Sequence, residues 1–146
     1  MKNNLDIVKN ILHENKGYTL VLADGNNVFT SDEIGIKPLL KYMGEIPDLK
    51  NYSAADKIIG RAAAFLYIYS GIKYVYGEVM SAGAISLFTE NDIEFEYGEK
   101  TDKIINRMGT DICPMDKAVS EITDYKIAYE ALKNKVTQMQ NLGHGK

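Results

Sequence analysis

Two β-prone runs enclose one helical pattern in the middle of this chain. Lys73 to Met80 is rich in tyrosine and valine, Ser81 caps a helix to about Asn91, and Ile93 to Tyr97 resumes extended structure. Strand, helix and strand in such close succession call for a right-handed crossover and a parallel pair. Parallel strands need helices on both faces, so this one succession already narrows the fold to the α/β class.

The flanking sequence fits around that unit. Leu5, Val8, Ile11 and Leu12 recur at helical spacing and predict an amphipathic helix over about residues 3–15, stopped by Lys16-Gly17. Tyr18 to Ala23, the turn Asp24-Gly25-Asn26-Asn27 and Val28 to Thr30 read as a β-hairpin. Lys37 to Met43 suits a short helix with Pro38 in its first turn. Ser53-Ala54-Ala55-Asp56 has the form of a capping box, which predicts a central helix from Ser53 to about Tyr69, ended by Gly71. Beyond Tyr97-Gly98 the expectation is a polar loop with a short strand at Lys103 to Asn106. A helix from Pro114 to about Glu121 follows, then a closing amphipathic helix marked by Tyr125, Ala128, Tyr129, Leu132, Val136 and Met139. The expected architecture is a three-layer α/β/α sandwich around a mixed sheet. One domain spans residues 1–146, with a core over about 3–141 and a tail at 142–146.

Composition removes several function classes. Seventeen basic against twenty acidic residues leave a formal charge of −3, so no global positive field recruits nucleic acid or acidic lipid. One cysteine cannot make an internal disulfide, and with two histidines, one in Gly143-His144-Gly145, it cannot make an all-nitrogen/sulfur zinc site. The longest apolar run, Ala62 to Ile68, is far short of the ~20 residues a spanning helix needs. Met1-Lys2-Asn3-Asn4 lacks the apolar core of a secretion signal. A cytoplasmic protein with no metal, cofactor, nucleic-acid or membrane partner is expected.

Ligands in such sheets gather where parallel strands end and helices begin, which singles out three stretches. In Ser53 to Arg61, Lys57 and Arg61 stand four apart on one predicted helix face, and with the helix amides they would attract a phosphate or carboxylate. Asp56 is either the acid of the capping box or an acid–base group. Arg61 and Arg107 are the only arginines beside fifteen lysines. Where lysine is the default, a guanidinium answers a need for a planar, bidentate donor, for a ligand or for a structural ion pair. In Glu78 to Ala84, Ser81 caps a helix whose small first residues either admit a ligand or allow tight packing. In Asn106 to Lys117, Cys113 is the predicted N-cap before Pro114, either a thiol activated by the helix dipole or a buried small hydrophobe. Asn106 and Arg107 form a polar recognition loop.

Ala55-Asp56-Lys57-Ile58-Ile59-Gly60-Arg61-Ala62-Ala63-Ala64, Ile105-Asn106-Arg107-Met108-Gly109-Thr110 and Cys113-Pro114-Met115-Asp116-Lys117 also carry a resemblance over about residues 5–135. They resemble a prokaryotic family designated domain of unknown function 1893, and the resemblance implies a cytidine deaminase-like fold. The zinc-binding pattern of deaminases does not accompany it. The stretches aligned with the metal motifs read Ala54-Ala55-Asp56-Lys57 and Met80-Ser81-Ala82-Gly83-Ala84, and without zinc hydrolytic deamination loses its activated water.

The leading expectation is therefore a module that binds a nucleotide or another small anion through Lys57, Arg61, Ser81, Asn106 and Arg107. A metal-independent enzyme using Cys113 or Asp56, and a homo-oligomeric interaction module, are the competing readings.

Overall fold

The computed structural model describes residues 2–104 and 114–144. Among them the order is α1 (Lys2–Glu14), β1 (Leu20–Ala23), β2 (Val28–Ser31), α2 (Lys37–Glu45), β3 (Ser53–Ile59), α3 (Arg61–Ser70), β4 (Tyr74–Ser81), α4 (Ala82–Glu90), β5 (Glu94–Thr101), α5 (Pro114–Ala118) and α6 (Tyr125–His144). The strands form one mixed sheet in the order β2-β1-β3-β4-β5. β1 runs antiparallel to both β2 and β3, whereas β3, β4 and β5 are parallel.

Each face of the sheet buries its own core. Leu5, Val8 and Leu12 of α1 cover Val21, Ala23, Ala55 and Tyr76 on one side. On the other, residues of α2, α3, α4 and α6 join Leu20, Leu22, Ala54, Val75 and Met80 in a larger cluster. The result is the expected three-layer sandwich, with α1 alone forming the thinner layer among the described residues.

The hairpin forms as its turn chemistry dictates. Asp24 Oδ1 accepts from the amides of Asn26 (3.0 Å) and Asn27 (2.7 Å), and Gly25 adopts φ +99°. These amide bonds hold the Asp24 carboxyl below its usual range. α2 begins at Lys37 with Pro38 in its first turn, and Ser81 caps α4 by accepting from the Ala84 amide at 3.1 Å.

The largest departure from expectation is at residues 53–59. The predicted helix from Ser53 to Tyr69 is two elements, a strand to Ile59 and a helix from Arg61 to Ser70 that ends at Gly71 with φ +89°. The serine and acid of the apparent capping box belong to β3, which pairs with β1 on one edge and β4 on the other. Small, buried Ser53, Ala54 and Ala55 let helices approach a central strand from both sides, and Lys57-Ile58-Ile59 adds β-branched bulk. Gly60 then breaks the strand and opens the helix.

Two smaller departures concern the edge and the segment after it. β5 continues through Gly98 to Thr101 where a loop was expected, because an edge strand tolerates polar side chains on both faces. α5 closes at Ala118, short of the predicted Glu121. Lys103 and Ile104 lie in no strand, and the last two residues of the strand expected up to Asn106 fall outside the described residues.

Candidate functional site

Strands β3 and β4 deliver their helices side by side. Ile59 pairs with Met80, Gly60 and Ser81 serve as N-caps, and α3 and α4 start at Arg61 and Ala82. The two first turns touch: a Cβ on Gly83 would lie 3.8 Å from Arg61 Cβ. The helix starts therefore converge at the carboxyl ends of the parallel strands, where backbone amides and aligned peptide dipoles favour negative charge.

The α3 start already holds an anion, and it comes from the chain itself. Asp116 of α5 places Oδ1 2.9 Å from the Ala62 amide nitrogen, which donates to it. Gly60 makes room for this carboxylate, since a Cβ there would meet Oδ1 at 2.7 Å and Cγ at 2.8 Å. Burial pushes the Asp116 carboxyl above its usual range, against the lowering effect of the Ala62 and Arg61 amides and the Arg61 charge.

Arg61 returns the contact. Its Nε donates to the Val119 carbonyl and its Nη2 to the Ile122 carbonyl, both at 3.0 Å, and its guanidinium lies 4.8 Å from the Phe65 ring centroid. α5 thus caps the amide end of α3 with a carboxylate, while α3 satisfies the carbonyls that follow α5 with a guanidinium. This is a reciprocal latch between helices far apart in sequence. The planar, bidentate donor anticipated at Arg61 is used on backbone carbonyls.

Asp56 and Lys57 do not lie in a helical first turn with Arg61. As neighbours in β3 they project to opposite faces of the sheet. The Lys57 ammonium donates to the Lys16 carbonyl at 2.6 Å, beyond the end of α1. Asp56 lies beneath α3, where the buried Tyr67 hydroxyl donates to Oδ2 at 2.7 Å. Desolvation pushes this carboxyl up to about 7, against the Tyr67 bond and the Ile58 and Lys57 amides, and Tyr67 is in turn driven well above its ordinary value. Ser81 is buried and its hydroxyl oxygen is occupied by the α4 cap. Asn106, Arg107 and Cys113 lie outside the described residues.

A model of the family described as TM1506, domain of unknown function (DUF1893), matches residues 7–136. This chain belongs to the DUF1893 family. A solved structure of a DUF1893 family protein, TM1506 from Thermotoga maritima, is 27% identical and superposes with a TM-score of 0.84 over 92% of this chain and 91% of that one. No curated protein matches.

In this DUF1893 chain the first turns of α3 and α4 read Arg61-Ala62-Ala63-Ala64 and Ala82-Gly83-Ala84-Ile85. The earlier alignment of a metal motif with Ala54 to Lys57 fails, because those residues are a strand and the helix starts at Arg61. Neither turn carries an imidazole, thiol or carboxylate, and the carboxylate of Asp116 that reaches them is bound to the Ala62 amide. Among the described residues no three His, Cys, Asp or Glu side chains form a metal-holding group. This donor set does not fit a deaminase zinc.

Three participants were not assigned roles from the sequence. Asp116 carried a local signal, an acid in a helical first turn, but its target lies 54 residues away. Gly60 stands next to Arg61 with no local signal of its role, since the carboxylate it makes room for arrives from α5. Tyr67 was indistinguishable from other core aromatics, because only the tertiary fold brings its hydroxyl to Asp56.

Proposed function

We propose that this DUF1893 domain binds a small anion, such as the phosphate of a nucleotide, where α3 and α4 begin. One observation carries the reading. The α3 amides hold a carboxylate in a slot that Gly60 keeps open, so this position is chemically suited to negative charge. Asp116 is then the internal competitor, and an incoming anion exchanges with it while the Arg61 charge stays beside the slot. The mixed sheet flanked by helices supports a cytidine deaminase-like reading of the fold, without the metal chemistry. Asn106 and Arg107 are proposed as further ligand contacts, and Lys57, held at the Lys16 carbonyl, is left out.

The test is thermal unfolding with inorganic phosphate, a nucleoside monophosphate and the corresponding nucleoside, on the wild-type chain and on Asp116→Asn. Phosphate-bearing probes should raise the melting temperature and the nucleoside should not. The rise should be larger in Asp116→Asn, where the competing charge is gone. A probe at a hundredfold excess over its dissociation constant adds about 2.7 kcal/mol of stability. No shift in either protein at millimolar probe overturns the proposal.

A further inference from the structure

The outer edge of the sheet carries an inference independent of the anion site. β5 is an eight-residue strand at the sheet's border, twice the length of the four-residue β2 at the other border. Its Glu94 amide donates inward to the Lys73 carbonyl at 2.9 Å. Strand alternation therefore turns the peptide groups of Phe95, Tyr97, Glu99 and Thr101 outward, and among the described residues no strand pairs with that edge.

Side chains alternate in the same way. Glu96 reaches Lys9 of α1 at 3.8 Å, and a Cβ on Gly98 would lie 3.2 Å from the Tyr76 hydroxyl, so Glu94, Glu96, Gly98 and Lys100 share the α1 face. Phe95 packs against Phe88 of α4, with ring centroids 5.8 Å apart, so Tyr97 and Glu99 share the opposite face. Tyr97 is 45% exposed there.

We propose that β5 is a homodimer interface, on which a second copy of this chain pairs its own β5 antiparallel across a two-fold axis at Tyr97. Residues directly opposite one another in a sheet lie on the same face, so symmetric pairing can only bring Lys100 opposite members of its own row. With the axis at Tyr97, Lys100 meets Glu94 of the partner subunit, and symmetry supplies the pair twice. Glu96 faces glycine, Phe95 faces the Glu99 stem, and the two Tyr97 rings meet at the axis. No like charges oppose one another. Moving the axis one residue to Gly98 sets Glu94 against Asp102, and moving it to Glu96 or Glu99 sets a glutamate against itself.

Two further observations favour a second copy as the occupant. Neither Glu94 nor Lys100 has an ion-pair partner among the described residues of its own chain. A groove of about 530 Å³ runs beside the first half of β5, and its ionisable lining residues, Asp6, Glu94 and Glu96, are all acidic. The Lys100 of the joining strand enters this groove. The charges that protect such an edge from indiscriminate pairing are thus satisfied in one self-complementary register.

Sedimentation velocity on the full chain across a concentration series tests the proposal. The wild type should dimerise, and Lys100→Glu should weaken the dimer at least about tenfold, since two attractive pairs become repulsive. Glu94→Lys should do the same. Mixing the two variants should restore a dimer, because every opposed pair is then of opposite sign. Both substitutions are on exposed side chains, so an unchanged far-ultraviolet circular dichroism spectrum verifies folding. A wild type that stays monomeric at all concentrations overturns the proposal, as does a dimer indifferent to Lys100→Glu or variants that fail to pair when mixed.

Discussion

Asp56 is the residue at which burial and charge conflict most openly. Its carboxyl titrates near 7 in the folded chain against an ordinary 3.8, so the folded state keeps its proton over a range in which the unfolded state has lost it. Between about pH 4 and 7 the native state therefore binds more protons, and the stability contributed by this group falls as pH rises. The full span corresponds to at most about 4 kcal/mol. Denaturant unfolding at pH 5 and pH 8 should show greater stability at pH 5, a difference to which Asp116, also raised by burial, adds with the same sign. Asp56→Asn keeps an acceptor for Tyr67 and removes the titration, so the difference should shrink. An unaltered difference in that variant would assign the pH dependence elsewhere. The carboxylate was visible in the sequence as a candidate acid–base group, but its perturbation was not, because that comes from desolvation beneath α3, which exists only in the assembled fold.

At the scale of elements, the α3–α5 latch makes a prediction that helix propensity does not. Gly60→Ala places a methyl group inside the Asp116 carboxylate, and displacing that side chain should cost on the order of 1–3 kcal/mol. Asp116→Ser has a shorter side chain, and Gly60→Ala should cost measurably less in that background. Chemical denaturation of the two single variants and the double variant gives the coupling directly. Equal costs in both backgrounds would show that Gly60 is required for its own backbone and not for the carboxylate. The strand at 53–59 shows why this latch was not legible locally. A serine followed by an acid three residues on is a sound helix-start signal, and it was overridden by hydrogen bonding to strands on both sides. Once the helix start moves to Arg61, the guanidinium comes within reach of the Val119 and Ile122 carbonyls.

At the scale of the molecule, the two cores are separated by the sheet, and the candidate site belongs to the thicker side. Leu12 of α1 is 2% exposed and packs in the smaller cluster. Leu12→Ala should therefore cost about 2–5 kcal/mol while leaving the phosphate-induced rise in melting temperature intact. Loss of that rise would tie the site to the α1 layer. From the sequence alone followed the α/β class, the hairpin, the parallel pairing of β4 with β5, and the α2 and α4 starts, because periodicity, turn residues and caps act over a few neighbouring positions. The division of residues 53–70 into strand and helix, the Asp56–Tyr67 contact and the partnership of Asp116 with the α3 amides were decided only by the tertiary structure. Each rests on groups distant along the chain, whose burial and hydrogen-bond partners do not exist until the sheet and its helices have assembled.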